Sequence, residues 1–328
     1  MLMLTRSCEL RCSYCWVALS EEHYGRFNPG RASPGTPSGD MSPETLRAAV
    51  DLLMRSDRPA LELQAFGGEP LRVWPTLRGG LDYALQHPER GDREIELQLT
   101  TNGMGLTDGL LEELSHLPVI VQLSVDGGDR HSRFRRAHLV DDEGRRRQDA
   151  VAGLVASGVR HFLNTTLVPA AAEEAPERYA WAQEQGLDAV QINYATGMAW
   201  SEPQRLAYLE GLAQALELSR QPRSPRLFNW GHEADPVPLC ADLIVDVDGS
   251  LTHTGALFHE ARFPDLGSVY ARGHLAEGAS LDSRLDLLEL YLATSTAYPP
   301  STEKGSILLE NMLLGASCDL LVRQLAPR

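Results

Sequence analysis

Pro43-Glu-Thr-Leu-Arg-Ala-Ala-Val-Asp-Leu-Leu-Met54, followed after a polar break by Leu61-Glu-Leu-Gln-Ala-Phe66, is the stretch on which the reading of the fold turns. Its first half repeats apolar residues with a helical period, and its second half alternates as a strand does. Ser42 stands at the N-cap position with Pro43 in the first turn, so the helix has a defined start. Met1 to Leu4 reads as a strand before this unit. Ile95 to Thr100, Val119 to Ser124, Phe162 to Leu167 and Ala189 to Tyr194 read as strands after it. Helical patterns lie between them, near Leu77 to Leu85, Asp108 to Leu114, Gln148 to Ser157, Glu174 to Gln185 and Pro203 to Leu218, with Gly158 and Gly186 at helix stops. Six β-α units in succession demand a parallel sheet covered by helices, either open and doubly wound or curled toward a barrel.

Working outward, Arg26 to Asp40 is rich in Gly, Pro and Ser and interrupts the first unit as a long loop. Pro222, Pro225, Pro236 and Pro238 mark the point where the β-α alternation ceases. Beyond it, Leu243 to Val247 and Ser250 to Thr254 read as a hairpin around Asp248-Gly249. Two helical patterns follow, near Leu281 to Ala293 and Ser306 to Gln324. The expected organisation is a β-α unit over residues 1–220 and a small α+β extension over 221–328. The length of 328 residues accommodates both.

Lys and Arg number 30 against 45 Asp and Glu, giving a net charge of −15. A negative surface is repelled by nucleic-acid backbones and anionic membranes, so neither is an expected partner. The one dense basic run, Arg130 to Arg136 and Arg145 to Arg147, reads as a solvated loop. No stretch approaches 18 apolar residues and the N-terminus lacks a signal-peptide pattern, so a cytoplasmic protein is expected.

The five cysteines stand at 8, 12, 15, 240 and 318. Three within eight residues make a poor disulfide framework and a good metal loop. Cys8-Glu-Leu-Arg-Cys12-Ser-Tyr-Cys15 directly follows the first strand. By spacing alone the thiolates fit either zinc, closed by Cys240 or a histidine, or an iron-sulfur cluster.

The Cys-x3-Cys-x2-Cys spacing with Tyr14 before the last cysteine resembles the signature of the radical S-adenosylmethionine (SAM) enzymes. Phe66-Gly67-Gly68-Glu69-Pro70 resembles that family's Gly-Gly-Glu-Pro motif. Thr100-Thr101-Asn102-Gly103 resembles its Thr-Asn-Gly turn, and Ser124-Val125-Asp126-Gly127 its Ser-Leu-Asp-Gly segment. The resemblance spans residues 1 to about 200. It implies a partial (β/α)6 TIM-like barrel, with Cys8, Cys12 and Cys15 holding three irons of one 4Fe-4S cluster and SAM chelating the fourth. Glu69 is then expected to receive the SAM amino group. Thr101 and Asn102 would line the cofactor, and Ser124 and Asp126 would reach the ribose and methionyl end. His131 and Arg135 match a family His-x3-Arg pair that meets the SAM carboxylate, although counting from Ser124 favours Arg136. Gln191 and Asn193 fall where the family's backbone flanks adenine. A reductant such as flavodoxin or ferredoxin is implied.

Past the barrel, Cys240, Gly249 and the hairpin resemble the opening of the cysteine-rich SPASM extension of peptide-modifying and sulfatase-maturing relatives. Thr254 replaces its second cysteine. Only Cys318 remains beyond, with His253, His259 and His274 as the other ligand types, so a degenerate extension without its own cluster is expected. Cys240 is then either a buried apolar thiol or a hydrogen-atom donor to a substrate radical. The implied function is hydrogen abstraction from a peptide or protein side chain, with a separate leader-peptide-binding protein as a possible partner. A small sugar or amino acid is the alternative substrate, and a zinc-stabilised binding module without catalysis is the alternative of another class.

Overall fold

The computed structural model describes residues 1–15, 39–128, 130–135, 142–229, 243–253, 263–278 and 287–325. A single ten-stranded sheet organises the chain. Strand β1 (Leu2–Met3) leads through the cysteine segment to helix α1 (Pro43–Met54). Then come β2 (Ala60–Phe66), α2 (Trp74–Leu85), β3 (Glu94–Thr101), α3 (Asp108–Ser115), β4 (Val119–Ser124), α4 (Glu143–Ser157), β5 (Arg160–Leu167), α5 (Ala175–Glu184), β6 (Ala189–Tyr194) and α6 (Glu202–Ser219). The short β7 (Arg226–Leu227) follows β6 in parallel. All six expected strands and six expected helices form, and β1 to β6 pair in parallel in chain order.

Local chemistry sets the boundaries. The Ser42 hydroxyl accepts the Thr45 N–H at 3.0 Å and fixes the start of α1. Gly158 and Gly186 have positive φ at the ends of α4 and α5, as helix stops require. The expectation fails at α4, which begins at Glu143 instead of Gln148. Arg145 to Arg147 belong to its first turns and not to a solvated loop, and Arg147 is buried with Glu143 one turn before it at 3.5 Å.

In β2 to β4 the apolar residues at every second position face the helices, forming one core that runs from Leu61 and Leu63 through Leu97, Leu99, Val121 and Leu123 to Val190 and Ile192. The opposite face carries half-buried amides on successive strands: Gln64, Gln98, Gln122, Asn164, Gln191 and Asn193. A parallel sheet is ordinarily apolar on both faces, so this polar side is a departure, and its amides bond across the strands, Gln98 to Gln122 at 2.7 Å and Asn193 to Asn164 at 2.6 Å.

The C-terminal region extends the same sheet. Strands β8 (Leu243–Val245) and β9 (Ser250–His253) form the expected hairpin, and β10 (Ala271–His274) pairs with β9 after a short helix α7 (Leu266–Tyr270). The sequence did not foretell that β8 would pair in parallel with β1, Leu2 opposite Val245, supported by an Arg6–Asp246 ion pair at 2.5 Å. Helices α8 (Leu287–Ala297) and α9 (Glu303–Leu325) complete the described chain, with α9 packed on α6. Helix α9 is long and apolar enough on average to cross a membrane, although it holds no unbroken run approaching 18 apolar residues, as expected. Its polar residues are spaced among leucines, and it buries Ile307, Leu308, Asn311 and Leu314 within the protein.

Candidate active site

The cysteine segment, the tip of β2, the end of β3 and the residues after β4 and β6 all lie at the carboxyl ends of parallel strands, where ligands bind in such folds. The segment is stitched to β2 by main-chain bonds from Leu4 N to Phe66 O (2.9 Å), Gly68 N to Thr5 O (2.7 Å) and Glu69 N to Ser7 O (2.8 Å). The two glycines are required by this contact. A Cβ on Gly67 would lie 2.4 Å from the Thr5 carbonyl oxygen, and one on Gly68 would lie 2.2 Å from that of Ser7. Their smallness therefore serves chain-to-chain approach between β2 and the cysteine segment.

Cys8, Cys12 and Cys15 are free thiols and half-buried. Burial pushes the Cys8 thiol up strongly, with Glu69 and Cys15 adding to it. Burial likewise pushes Cys12 to about 12, partly offset by the Arg135 guanidinium. Cys15, the third thiol of the same short segment, acts electrostatically on both. Among the described residues no three His, Cys, Asp or Glu side chains close on a single metal ion. A four-iron cluster asks for something different, one thiolate on each of three separated irons. Neutral thiols in a poorly solvated pocket gain what they lack when iron takes the place of the proton. The donor set thus fits a cluster. The sulfur of Cys8 also accepts from Leu10 N (3.3 Å) and Asn102 Nδ2 (3.7 Å), and such donors tune cluster potential.

Glu69 is 1% exposed. Its Oε1 accepts from Thr101 Oγ1 (2.7 Å) and Leu71 N (3.1 Å), and its Oε2 accepts from Asn102 N (2.8 Å). Burial nonetheless raises its pKa to about 7. Among the described residues no cation pairs with it, which leaves the charge requirement that a ligand ammonium would meet. A folded pKa above the unfolded value means that the native state holds the extra proton between about pH 4.5 and 7. This group's stabilising contribution is therefore full below that window and lost as pH rises through 7, by up to about 3 kcal/mol. Glu69→Gln should flatten the pH dependence of the melting temperature of the cofactor-free protein between pH 5 and 8. An unchanged slope would show that Glu69 ionises normally.

Asp126 is fully buried at the centre of an ionic network. Its Oδ2 accepts from Tyr14 Oη (2.6 Å) and pairs with Arg135 Nε (3.0 Å). Its Oδ1 accepts from Thr166 N (3.2 Å) and faces Arg178 at 3.5 Å. Arg135 also donates to the Ser124 carbonyl (2.8 Å) and lies over the Tyr14 ring. Burial alone would lower the Arg135 pKa, but Asp126, Tyr14 and Cys12 together outweigh it and keep the guanidinium charged. Arg178, with no exposed surface, donates to Thr165 Oγ1, Thr166 O and Glu174. Of the two arginines left open by the spacing, Arg135 occupies this site and Arg136 lies outside the described residues. His131 points to Glu177 Oε2 at 3.2 Å. Asn193 donates to Asn164 Oδ1 at 2.6 Å, with Gln191 opposite Asn164 in register.

Sequence reasoning missed Arg178, Thr166 and Asn164. Arg178 carried a usable signal, because Ala175, Arg178, Tyr179 and Ala182 share the buried stripe of α5 and an arginine on such a stripe needs a buried anion. The C-terminal region flanks the cysteines as well: Cys15 packs on Met3, Ile244 and Val247. Cys318 sits on α9 against the main core, where burial pushes it to about 12. Cys240, Thr254, His259 and most of the loop 26–40 lie outside the described residues.

Comparison with known proteins gives a match to the family described as the radical SAM superfamily over residues 2–181. A radical SAM cyclopropyl synthase, TigE of Paramaledivibacter caminithermalis, is 27% identical over 143 residues, covering 40% of this chain. That stretch is 28% of the relative's length, so the chain matches less than a third of it. Among solved structures, native anSMEcpe with bound AdoMet superposes with a TM-score of 0.68 at 15% identity, covering 93% of this chain and 81% of that one. Streptococcus suis SuiB bound to precursor peptide SuiA gives 0.53 at 11% identity, covering 76% and 57%. At these identities the structural likeness establishes the partial-barrel fold.

Proposed function

Because the chain belongs to the radical SAM superfamily, a family of enzymes, we propose that it carries out radical SAM chemistry, in preference to serving as a zinc-stabilised binding module, and that it abstracts a hydrogen atom from a peptide or protein side chain. When bound, the cluster and SAM together supply reductive cleavage to methionine and a 5′-deoxyadenosyl radical. Cys8, Cys12 and Cys15 hold the one cluster, and Glu69 takes the SAM ammonium. Arg135, with Arg136 as its neighbour in sequence, provides positive charge for the SAM carboxylate. Thr101, Asn102 and Ser124 border the cofactor, and Gln191 and Asn193 lie on the adenine side. Asp126 acts mainly by holding Tyr14 and Arg135. Cys240 is the candidate hydrogen-atom donor.

The observation that carries the reading is that three partly desolvated thiols and one buried carboxylate, which among the described residues has no cation beside it, stand at the same end of a parallel sheet. A peptide substrate is supported by the amide-lined sheet face. Side-chain amides offer donors and acceptors together, as main-chain peptide groups require. Solved neighbours bind peptides, SuiA in SuiB and the Kp18Cys peptide in anSMEcpe. The proposal places the protein in the cytoplasm with a flavodoxin or ferredoxin as reductant, treats residues 221–328 as a SPASM-like extension without a cluster, and leaves room for a separate leader-binding protein. Anaerobically reconstituted protein with a low-potential reductant and SAM should yield 5′-deoxyadenosine. Co-expression with candidate precursor peptides should shift a peptide's mass. Absence of 5′-deoxyadenosine would overturn the chemistry, whereas its formation with turnover of only small sugars or amino acids would overturn the substrate class.

A further inference from the structure

The segment between β6 and α6 is held by a residue more than a hundred positions away. Asn311 on α9 is 1% exposed. Its Oδ1 accepts the Gly197 N–H at 2.9 Å, and its Nδ2 donates to the Met198 carbonyl at 2.8 Å and to Ile307 O at 2.7 Å. Tyr194, at the end of β6, donates its hydroxyl to the Asn311 carbonyl at 3.0 Å. The side chain thus reads one N–H and one C=O of the loop as a neighbouring strand would. Both of its N–H donors and one of its two acceptor positions are used in doing so. The preceding residue on α9 reinforces the contact, with Glu310 facing Arg205 at 3.8 Å and Arg205 donating to Trp200 O at 2.6 Å.

The loop so fixed backs onto the cysteines. Met198 packs on Tyr14, Val168, Ala171 and Ala195, the same apolar group on which Cys12 and Phe134 rest. Ala195 is itself pinned, its N–H donating to Leu167 O and its carbonyl accepting from the Trp200 indole. A rigid chain of contacts therefore leads from Asn311 through Gly197 and Met198 to the seat of Tyr14 and Cys12.

We propose that Asn311 is a positioning residue through which the C-terminal helix sets the seat of the Cys12 ligand. The assignment rests on the reading of Cys12 as a cluster ligand. Asn311→Ala removes the side-chain amide bonded to the Gly197 N–H and the Met198 carbonyl, and the loop relaxes away from Tyr14. Groups bonded directly to a metal ligand are worth about 10–100-fold in metal retention, and Asn311, which reaches Cys12 through Met198, is expected at the lower end of that range.

The test uses the full chain, reconstituted anaerobically, and measures iron lost to a chelator, the EPR spectrum of the reduced cluster and the thermal midpoint. Asn311→Ala should lose iron at least about tenfold faster and show an altered EPR line shape. Asn311→Asp, which still accepts from Gly197, should fall between it and the native protein. Met198→Ala should reproduce the iron loss, and combining it with Asn311→Ala should add little. Met198→Ala also decides the matter if Asn311→Ala fails to fold. A lowered thermal midpoint with native iron retention and a native EPR spectrum in either folded variant would overturn the assignment. Native protein that takes up no cluster at all would overturn the proposed function and this assignment with it.

Discussion

Asp126→Ala is expected to cost about 3–5 kcal/mol of folding stability and to impair cluster assembly as well as SAM binding. The carboxylate has no exposed surface and neutralises two guanidiniums, Arg135 and Arg178, themselves almost wholly buried. Removing it takes the buried counter-charge from Arg135 and leaves Arg178 to Glu174 alone in a poorly solvated interior. It also releases the Tyr14 hydroxyl, which ties the cysteine segment to the residues after β4 at 2.6 Å. Because Tyr14 lies between Cys12 and Cys15 in sequence, the loss reaches two ligands at once. Urea denaturation and iron content of the variant measure the two consequences separately. A variant with native stability and a full cluster would show that the network is ornamental to both.

The second large effect concerns the thiols. Cys8→Ala, Cys12→Ala and Cys15→Ala should each abolish the cluster's visible absorption and SAM cleavage while leaving a folded barrel. The sheet and its apolar core are built from residues outside the segment, with Leu4 as its last buried anchor before the cysteines. The segment's main-chain bonds to Gly68 and Glu69 involve Thr5 and Ser7 and no cysteine. Far-ultraviolet circular dichroism should therefore remain native as the absorption disappears. Any one variant that retained full SAM cleavage would remove that cysteine from the ligand set.

The barrel was legible because each unit announces itself locally. Ser42-Pro43 starts a helix, Gly158 and Gly186 stop two others, and the alternation at Leu61, Leu63 and Ala65 assigns the faces of a strand. The cysteine segment and the Gly-Gly-Glu-Pro, Thr-Asn-Gly and Ser-Val-Asp-Gly turns were legible as motifs, since each occupies consecutive residues after a strand. What remained hidden depends on partners distant in sequence. Nothing near Leu243 says that β8 will pair with β1, and nothing near Asn311 says that its amide will meet Gly197. The motif reading of the glycines also missed a physical role, because the Ser7 carbonyl that forbids a side chain at Gly68 arrives from the cysteine segment, some sixty residues away in sequence. Asp126 was read as reaching toward a ligand, and the sequence was silent on the protein contacts of its oxygens with Tyr14, Arg135, Thr166 and Arg178, which appear only when four segments come together.

The measurement that tests the central claim most directly is EPR of the anaerobically reconstituted, reduced full chain, recorded before and after adding SAM, alongside iron and sulfide analysis. The account predicts about four irons and four sulfides per chain, a reduced 4Fe-4S signal that shifts when SAM binds, and loss of that signal in the Cys8/Cys12/Cys15 triple alanine variant. A cluster signal indifferent to SAM, or iron retained in the triple variant, would contradict it.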